Sequence, residues 1–347
     1  MNDRRSVLVV GATGQLGARI VDFLVARHQQ TRALVRRTSN VQSLVELEVE
    51  LVYGSLDDAQ SLDKACAGIE AVIATASSII PGKGDRFGER DVAWYENLVK
   101  ACKRNKVKQL VYISAFSTPN QDQVPEFLIK RKIEQIIVDS GLSYAIFRSA
   151  AFMDVYFAVM GSKIPLAGVT HPTLRRPFWL IRLFRRLAGR LVEAHGIALV
   201  PGNGAARHAF ISVDNVAEFL VCAADGRTGN RLICDIGGPE AVSWDEVAKC
   251  YQDILGRPVR PVHLPVSLLR FINWLLGRIS PAGGNLLAIL RLIGSEDYIC
   301  DSSEIAGRCG LELRSAKQFL AARAVRYAQA HKSPLDRELG DDRSARR

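Results

Sequence analysis

The apolar run VLVV at residues 7–10 leads directly into GATGQLG at 11–17, and this junction constrains the fold more than any other feature of the chain. A buried strand, then Gly11, Gly14 and Gly17, then a helical pattern is the context in which a glycine triplet marks a dinucleotide site. Gly11 permits the tight turn, Gly14 lets the main chain approach a pyrophosphate, and Gly17 lets the helix pack closely on the strand. The helix N-terminus adds N–H donors and a partial positive charge. On this reading Gly11, Thr13, Gly14, Gln15, Leu16 and Gly17 hold the cofactor. The plainer alternative is a structural turn.

Strand-like runs at 6–10, 31–35, 49–53, 71–75, 109–114 and 143–147 alternate with amphipathic stretches. Such alternation predicts a parallel sheet with right-handed crossovers. Runs such as VLVV and AVIAT suit strands covered on both faces. The expected fold class is therefore α/β, a doubly wound parallel sheet of Rossmann type, with residues 1–150 as the nucleotide-binding domain. After residue 150 the pattern becomes irregular: a strand at 208–213, a helix at 214–224, a strand and turn at 231–238, and a helix at 244–255 capped by Ser243. Residues 151–332 are expected to extend the sheet and to build a smaller α/β substrate lobe over its carboxyl edge, where open parallel sheets bind ligands. Residues 333–347 read as a flexible tail.

The second strand ends in ALVRR, with Arg36 and Arg37 where the adenosine ribose of a dinucleotide lands. An acid there would hold the 2′-hydroxyl of NAD, whereas arginine offers fork-shaped, charge-assisted hydrogen bonds to the 2′-phosphate of NADP. NADP is thus expected ahead of NAD, with two solvated arginines as the alternative.

These pieces, together with VYGSLDDAQSL, VKQLVYISA, KRKIEQIIVDSGLSYAIFRSAAFM and HAFISVDNVAEFL, run in family order over roughly residues 6–255. They resemble the atypical short-chain dehydrogenase/reductases, the NmrA-like group in particular. The ending GGPEAVSWDEVAKCYQDILGRPVRPVHLPVSLLRFINWLLGRIS is similar to the divinyl-chlorophyllide reductase branch, which reduces a vinyl group with NADPH.

The resemblance implies an extended short-chain dehydrogenase/reductase fold and a set of site residues. Lys130 matches the family's lysine, but the tyrosine of the usual Tyr-x-x-x-Lys pair is missing and Glu126 stands in its place. Lys130 would hold the nicotinamide ribose or, as in isoflavone-reductase-like members, take part in proton transfer once burial lowers its pKa. A solvated lysine beside Arg131 and Lys132 is the third option. Ser114 matches the region of the family's catalytic serine and would orient a substrate carbonyl, with a turn or cap role as the alternative. Thr75, Ala76 and Ser77 lie where the family's backbone passes the cofactor. Ser55 stands where relatives have an aspartate toward the adenine, Asn215 replaces a second aspartate, and Asp214 reads as a helix cap.

The seven cysteines are scattered singly, with no CxxC pair and no histidine at metal spacing, so reduced core thiols and no metal are expected. There is no HExxH, GxSxG or P-loop to support metal hydrolysis, acyl transfer or NTP hydrolysis. No secretory pattern opens the chain and no apolar run reaches the ~20 residues of a spanning helix. A cytoplasmic protein is expected, with peripheral membrane association left open.

The net charge of +10 concentrates in TLRRPFWLIRLFRRLAGRL at 173–191, which carries six arginines and no acid. On a helix Arg182, Arg186 and Arg190 form one stripe, and Leu180, Leu183, Phe184, Leu187 and Leu191 another. Residues 173–192 look like an insertion relative to the family, and membrane docking, a protein partner and burial in the protein's own core all fit it. Apolar stretches at 264–279 and 285–293 read as a core helix pair in preference to added surface. Nucleic acid is not an expected partner, because the basic residues sit among aliphatic ones and no nucleic-acid module is legible.

The leading reading is an NADPH-dependent reductase that transfers hydride to a hydrophobic small molecule. The alternative is a non-catalytic NADP-binding redox sensor or assembly factor. Epimerase-type chemistry ranks last, since it relies on the absent tyrosine.

Overall fold

A computed structural model describes residues 5–77, 88–173, 179–277 and 281–331. The expected tail at 333–347 and residues 174–178 of the basic segment lie outside the described residues.

The first half alternates strictly. Strands β1 (Val7–Val10), β2 (Thr31–Val35), β3 (Glu50–Tyr53), β4 (Ala71–Ala74), β5 (Gln109–Ala115) and β6 (Tyr144–Ser149) are joined by helices α1 (Gln15–Ala26), α2 (Gln42–Glu46), α3 (Ala59–Cys66), α4 (Glu89–Arg104) and α5 (Pro125–Asp139). Then follow α6 (Met153–Val159), α7 (Trp179–Leu187), α8 (Leu191–His195), β7 (Ile197–Pro201), β8 (Arg207–His208), α9 (Val213–Ala224), β9 (Leu232–Ile236) and β10 (Val242–Ser243). The chain ends with α10 (Trp244–Leu255), β11 (Arg260–Leu264), α11 (Val266–Gly277), α12 (Pro281–Ile293), α13 (Ser303–Cys309) and α14 (Ala316–His331).

The main sheet has seven strands in the order β3-β2-β1-β4-β5-β6-β9, all paired in parallel. The interior strand β1 shows why a continuous apolar run was needed. Val7 and Val9 pack into one layer with Ile20 and Leu24 of α1 and Leu220 of α9, while Leu8 and Val10 face Leu62 of α3 and Leu98 of α4. Both faces are covered, as a doubly wound sheet requires. The order reverses at β1, where β2 lies on one side and β4 on the other, so the carboxyl ends of β1 and β4 open a crevice. A smaller lobe forms around two short ladders, β7 with β11 and β8 with β10, flanked by α10, α11 and α12.

Four expectations change. The strand expected at 208–213 is only two residues long, because the chain leaves it to tie the lobe down: Ala209 N donates to Tyr298 O and Ile211 N to Ala151 O. Asp214 is not the cap of α9; Ser212 Oγ accepts from Asn215 N at 3.1 Å, and Asp214 pairs with Arg19 at 2.7 Å and Arg314 at 2.9 Å. The thiols are not all reduced, since α13 packs on α9 and brings Cys309 to Cys222, 87 residues away in sequence, in a disulfide. Finally, α12 buries Ala288, Ile289, Leu292 and Ile293 as a core helix should, but α11 buries Leu269 and leaves Leu268, Phe271, Trp274 and Leu275 exposed.

Among the described residues no helix is long and apolar enough to cross a membrane, and no group of three or more His, Cys, Asp and Glu could hold a metal.

Candidate functional site

The crevice floor at β1 and β4 is made of main chain in such close contact that side chains are excluded. Gly11 has φ +98°, and a Cβ there would lie 2.6 Å from Thr75 Oγ1 and 2.9 Å from Ala76 N. Thr75 is held in turn by Val10 O, which accepts from both its amide and its hydroxyl. A Cβ on Gly17 would fall 2.1 Å from Gly11 O, so any larger residue would push α1 off the strand. At Gly14 a Cβ would meet Gly11 O at 3.3 Å, a tight contact but a milder one than at Gly11 or Gly17.

The start of α1 is prepared for an anion. Gly14 caps it without a side chain, and its first turn holds no acid, which leaves the early amides to an outside acceptor. Gln15 is buried with its Oε1 accepting from Thr173 N at 2.8 Å, and its Nε2 is buried with no partner among the described residues. A buried donor in want of an acceptor beside a glycine turn fits a phosphate-bearing ligand. At the neighbouring strand end Arg36 and Arg37 are exposed, and neither guanidinium has a partner among the described residues. The set of Gly11, Thr13, Gly14, Gln15, Leu16, Gly17, Thr75, Ala76, Arg36 and Arg37 is thus able to hold a dinucleotide. Ser55 hydrogen-bonds Asp57, whose carboxylate accepts from Trp94 Nε1 at 2.6 Å.

On the other side of β4 stands Lys130. Pro125 opens α5 at its first position, where the missing N–H costs nothing, and the helix lays Lys130 against the end of β5. Lys130 Nζ donates to Ile113 O at 3.0 Å and lies 5.1 Å from the centre of the Tyr112 ring. Tyr112 meets Tyr95 edge-on at 4.9 Å, and Tyr95 Oη donates to Ala76 O at 2.8 Å, so a packed aromatic pair joins the lysine to the end of β4. Burial pushes both phenols well above their ordinary range, so neither ionises at neutral pH. Burial also pulls the Lys130 ammonium below its ordinary value, against the opposing pull of Glu126, Asp91 and Glu134. Only one of its three N–H donors is committed to Ile113.

Two further features come only from the tertiary structure. Glu126, in the position of the missing tyrosine, accepts from Asn285 Nδ2 at 2.8 Å, while its amide donates to Asn285 Oδ1 at 3.1 Å. The lobe helix α12 therefore closes directly over the first turn of α5. Ser114 is buried, and its hydroxyl accepts from Arg131 Nη1 at 3.1 Å. Arg131 also donates to Ala115 O and Phe116 O and pairs with Glu134, which Arg148 meets at 2.7 Å. The Ser114 proton itself has no acceptor among the described residues. The sequence signal for Glu126 was its spacing from Lys130, whereas nothing local pointed to Asn285, 159 residues away.

The NmrA-like family matches residues 3–312 of the chain. The chain is 29% identical over 283 residues to the sterol demethylase protein B of Methylococcus capsulatus, covering 77% of this chain and 80% of that one. It is 31% identical over 273 residues to the photosystem II assembly factor Ycf39 of Trieres chinensis, covering 78% and 76%. The Cyanophora paradoxa protein of the same name matches at 33% over 147 residues, 42% of this chain and 46% of that one. Among solved structures, an NADPH-dependent quinone oxidoreductase of Escherichia coli complexed with NADPH superposes with a TM-score of 0.68 at 18% identity, covering 91% of this chain and 99% of that one.

Proposed function

The chain belongs to the NmrA-like family, and on that premise we propose that it is an NADPH-dependent reductase of a hydrophobic small molecule. The observation that carries this reading is the pairing of a side-chain-free cradle at β1 and β4 with a desolvated lysine one strand away. Bound at the cradle, NADPH would supply a hydride for an electrophilic carbon of the substrate. The α1 amides and Gln15 would hold the pyrophosphate, and Arg36 with Arg37 the 2′-phosphate that selects NADP over NAD. Lys130 has two donors left to hold ribose hydroxyls, and its lowered pKa suits it to deliver the proton that balances hydride addition. Ser114, with an uncommitted proton one residue beyond the Ile113 carbonyl that accepts from Lys130, would orient the acceptor group.

A second reading rests on one observation. Where the usual proton donor would stand the chain has Glu126, locked to Asn285, which favours a non-catalytic NADP-binding redox sensor or assembly factor. The similarity to Ycf39 relatives, which are photosystem II assembly factors, supports that alternative.

The test is titration of the protein and a Lys130→Ala variant with NADPH and NADH, followed by NADPH oxidation on adding lipid, quinone or divinyl-porphyrin extracts. Oxidation that Lys130→Ala reduces by roughly hundredfold or more, within the range of acid–base catalysis, establishes the reductase. Tight binding without turnover selects the sensor or assembly factor. Failure to bind either nucleotide rejects both readings.

A further inference from the structure

Helix α11 is apolar on both sides. One side packs on α12, burying Leu269, and the other leaves Phe271 60%, Trp274 56%, Leu275 50% and Leu268 42% exposed. Phe271 and Trp274 stack on each other with ring centroids 6.2 Å apart. Helix α7 repeats the pattern with charge added. Leu187 is 70% and Leu183 45% exposed, one turn apart, so this stripe is not spent on the protein's own core. Beside it Arg186 and Arg190 are exposed, and neither guanidinium has a partner among the described residues. No acid occurs from residue 174 to 192, and Glu193 is the first to follow.

Each helix adjoins a residue tied to the carboxyl edge of the sheet, α7 along the chain and α11 through its packing on α12. Thr173, which leads into the α7 segment, donates to Gln15 at the start of α1, and Asn285 of α12, the partner of α11, locks onto Glu126 at the start of α5. The starts of α1 and α5 follow the carboxyl ends of β1 and β5, where the crevice opens.

We propose that α7 and α11 dock this protein on an anionic lipid bilayer, with leucine and aromatic side chains entering the acyl boundary and arginines meeting the headgroups. Charge complementarity selects this occupant. A second copy docking face to face would set arginine against arginine with no acid in the segment to answer them. An aromatic pair and leucines flanked by unpaired arginines is the composition that partitions into a membrane interface. Docked this way, the crevice lies next to the bilayer, and a substrate dissolved in the acyl phase reaches it without crossing water. The surface itself does not depend on turnover.

The experiment is flotation of the full chain with vesicles of phosphatidylcholine alone and of phosphatidylcholine with phosphatidylglycerol. Binding is expected to the anionic vesicles only and to fall with added salt. Arg186→Gln with Arg190→Gln is expected to weaken binding by roughly fivefold per charge removed. Phe271→Ser with Trp274→Ser is expected to weaken it by about tenfold or more. These positions are exposed, and NADPH affinity unchanged within twofold confirms that each variant is folded. Absence of vesicle binding at low salt overturns the proposal. So does binding that neither double variant changes, or a vesicle-independent dimer lost in both variants, or salt-sensitive binding to duplex DNA without binding to vesicles.

Discussion

The two walls of the crevice are built by opposite means. The cofactor wall is main chain against main chain: Gly11 on Thr75 and Ala76, and Gly17 on Gly11 O, with no room for a Cβ. The lobe wall is latched by single side chains reaching across long sequence distances. Asn285 holds Glu126, while His208 Nε2 at 2.7 Å and Trp244 Nε1 at 2.9 Å both donate to Ile293 O at the end of α12. The first wall fails through steric change and should ignore pH. The second fails when a hydrogen-bonding side chain is removed, and acid strains it by placing a buried charge on His208.

The largest effect expected is at Gly17. Gly17→Val forces main-chain movement between α1 and β1, at a cost of about 3 kcal/mol or more. If that strain falls on the bound state, NADPH affinity drops by roughly hundredfold. Isothermal titration and chemical unfolding check both, and a variant that binds NADPH like the parent breaks the steric account of this wall.

Acid tests the other wall. Burial holds His208 down at about 4, from an ordinary 6.5, with Ile293 O opposing the shift. Between those values the unfolded chain takes up a proton that the native state refuses. The His208 contribution is therefore complete above pH 6.5 and is lost as pH falls toward 4, by roughly 3 kcal/mol. Urea unfolding at a series of pH values reads this slope, and a His208→Gln variant should flatten it. Equal slopes in parent and variant would remove His208 from the latch.

The smallest effect sharpens the nucleotide assignment. Replacing Arg36 and Arg37 with alanine removes charged hydrogen bonds worth about 1.5–3 kcal/mol, so NADPH affinity should fall by roughly tenfold to hundredfold with NADH affinity unchanged. Equal losses for both nucleotides would mean that the arginines do not read the 2′-phosphate.

How much was legible follows from the same contrast. The strand runs at 6–10 and 71–75 were readable because burial on both faces demands unbroken apolar sequence, VLVV in one and AVIA in the other. The cap of α10 was readable because Ser243 and Glu246 satisfy each other within four residues. The cap of α9 was misassigned because two polar residues stand two apart, and only the packing of Arg19 and Arg314 takes Asp214 away from the helix end. The Cys222 to Cys309 bond spans 87 residues, and no local pattern encodes which cysteines will meet.

By itself, then, the sequence determined the parallel sheet, the glycine cradle and the arginines at the second strand end. Each is enforced by backbone sterics, apolar burial or charge within a few residues of itself. The tertiary structure alone decided that Lys130 is desolvated over Tyr112, that Glu126 is held by Asn285, and that α11 keeps an apolar face in the open. Those features depend on which distant surfaces pack together, and burial, which sets a lysine's pKa and a helix's exposed face, is a property of that packing and not of neighbours in the chain.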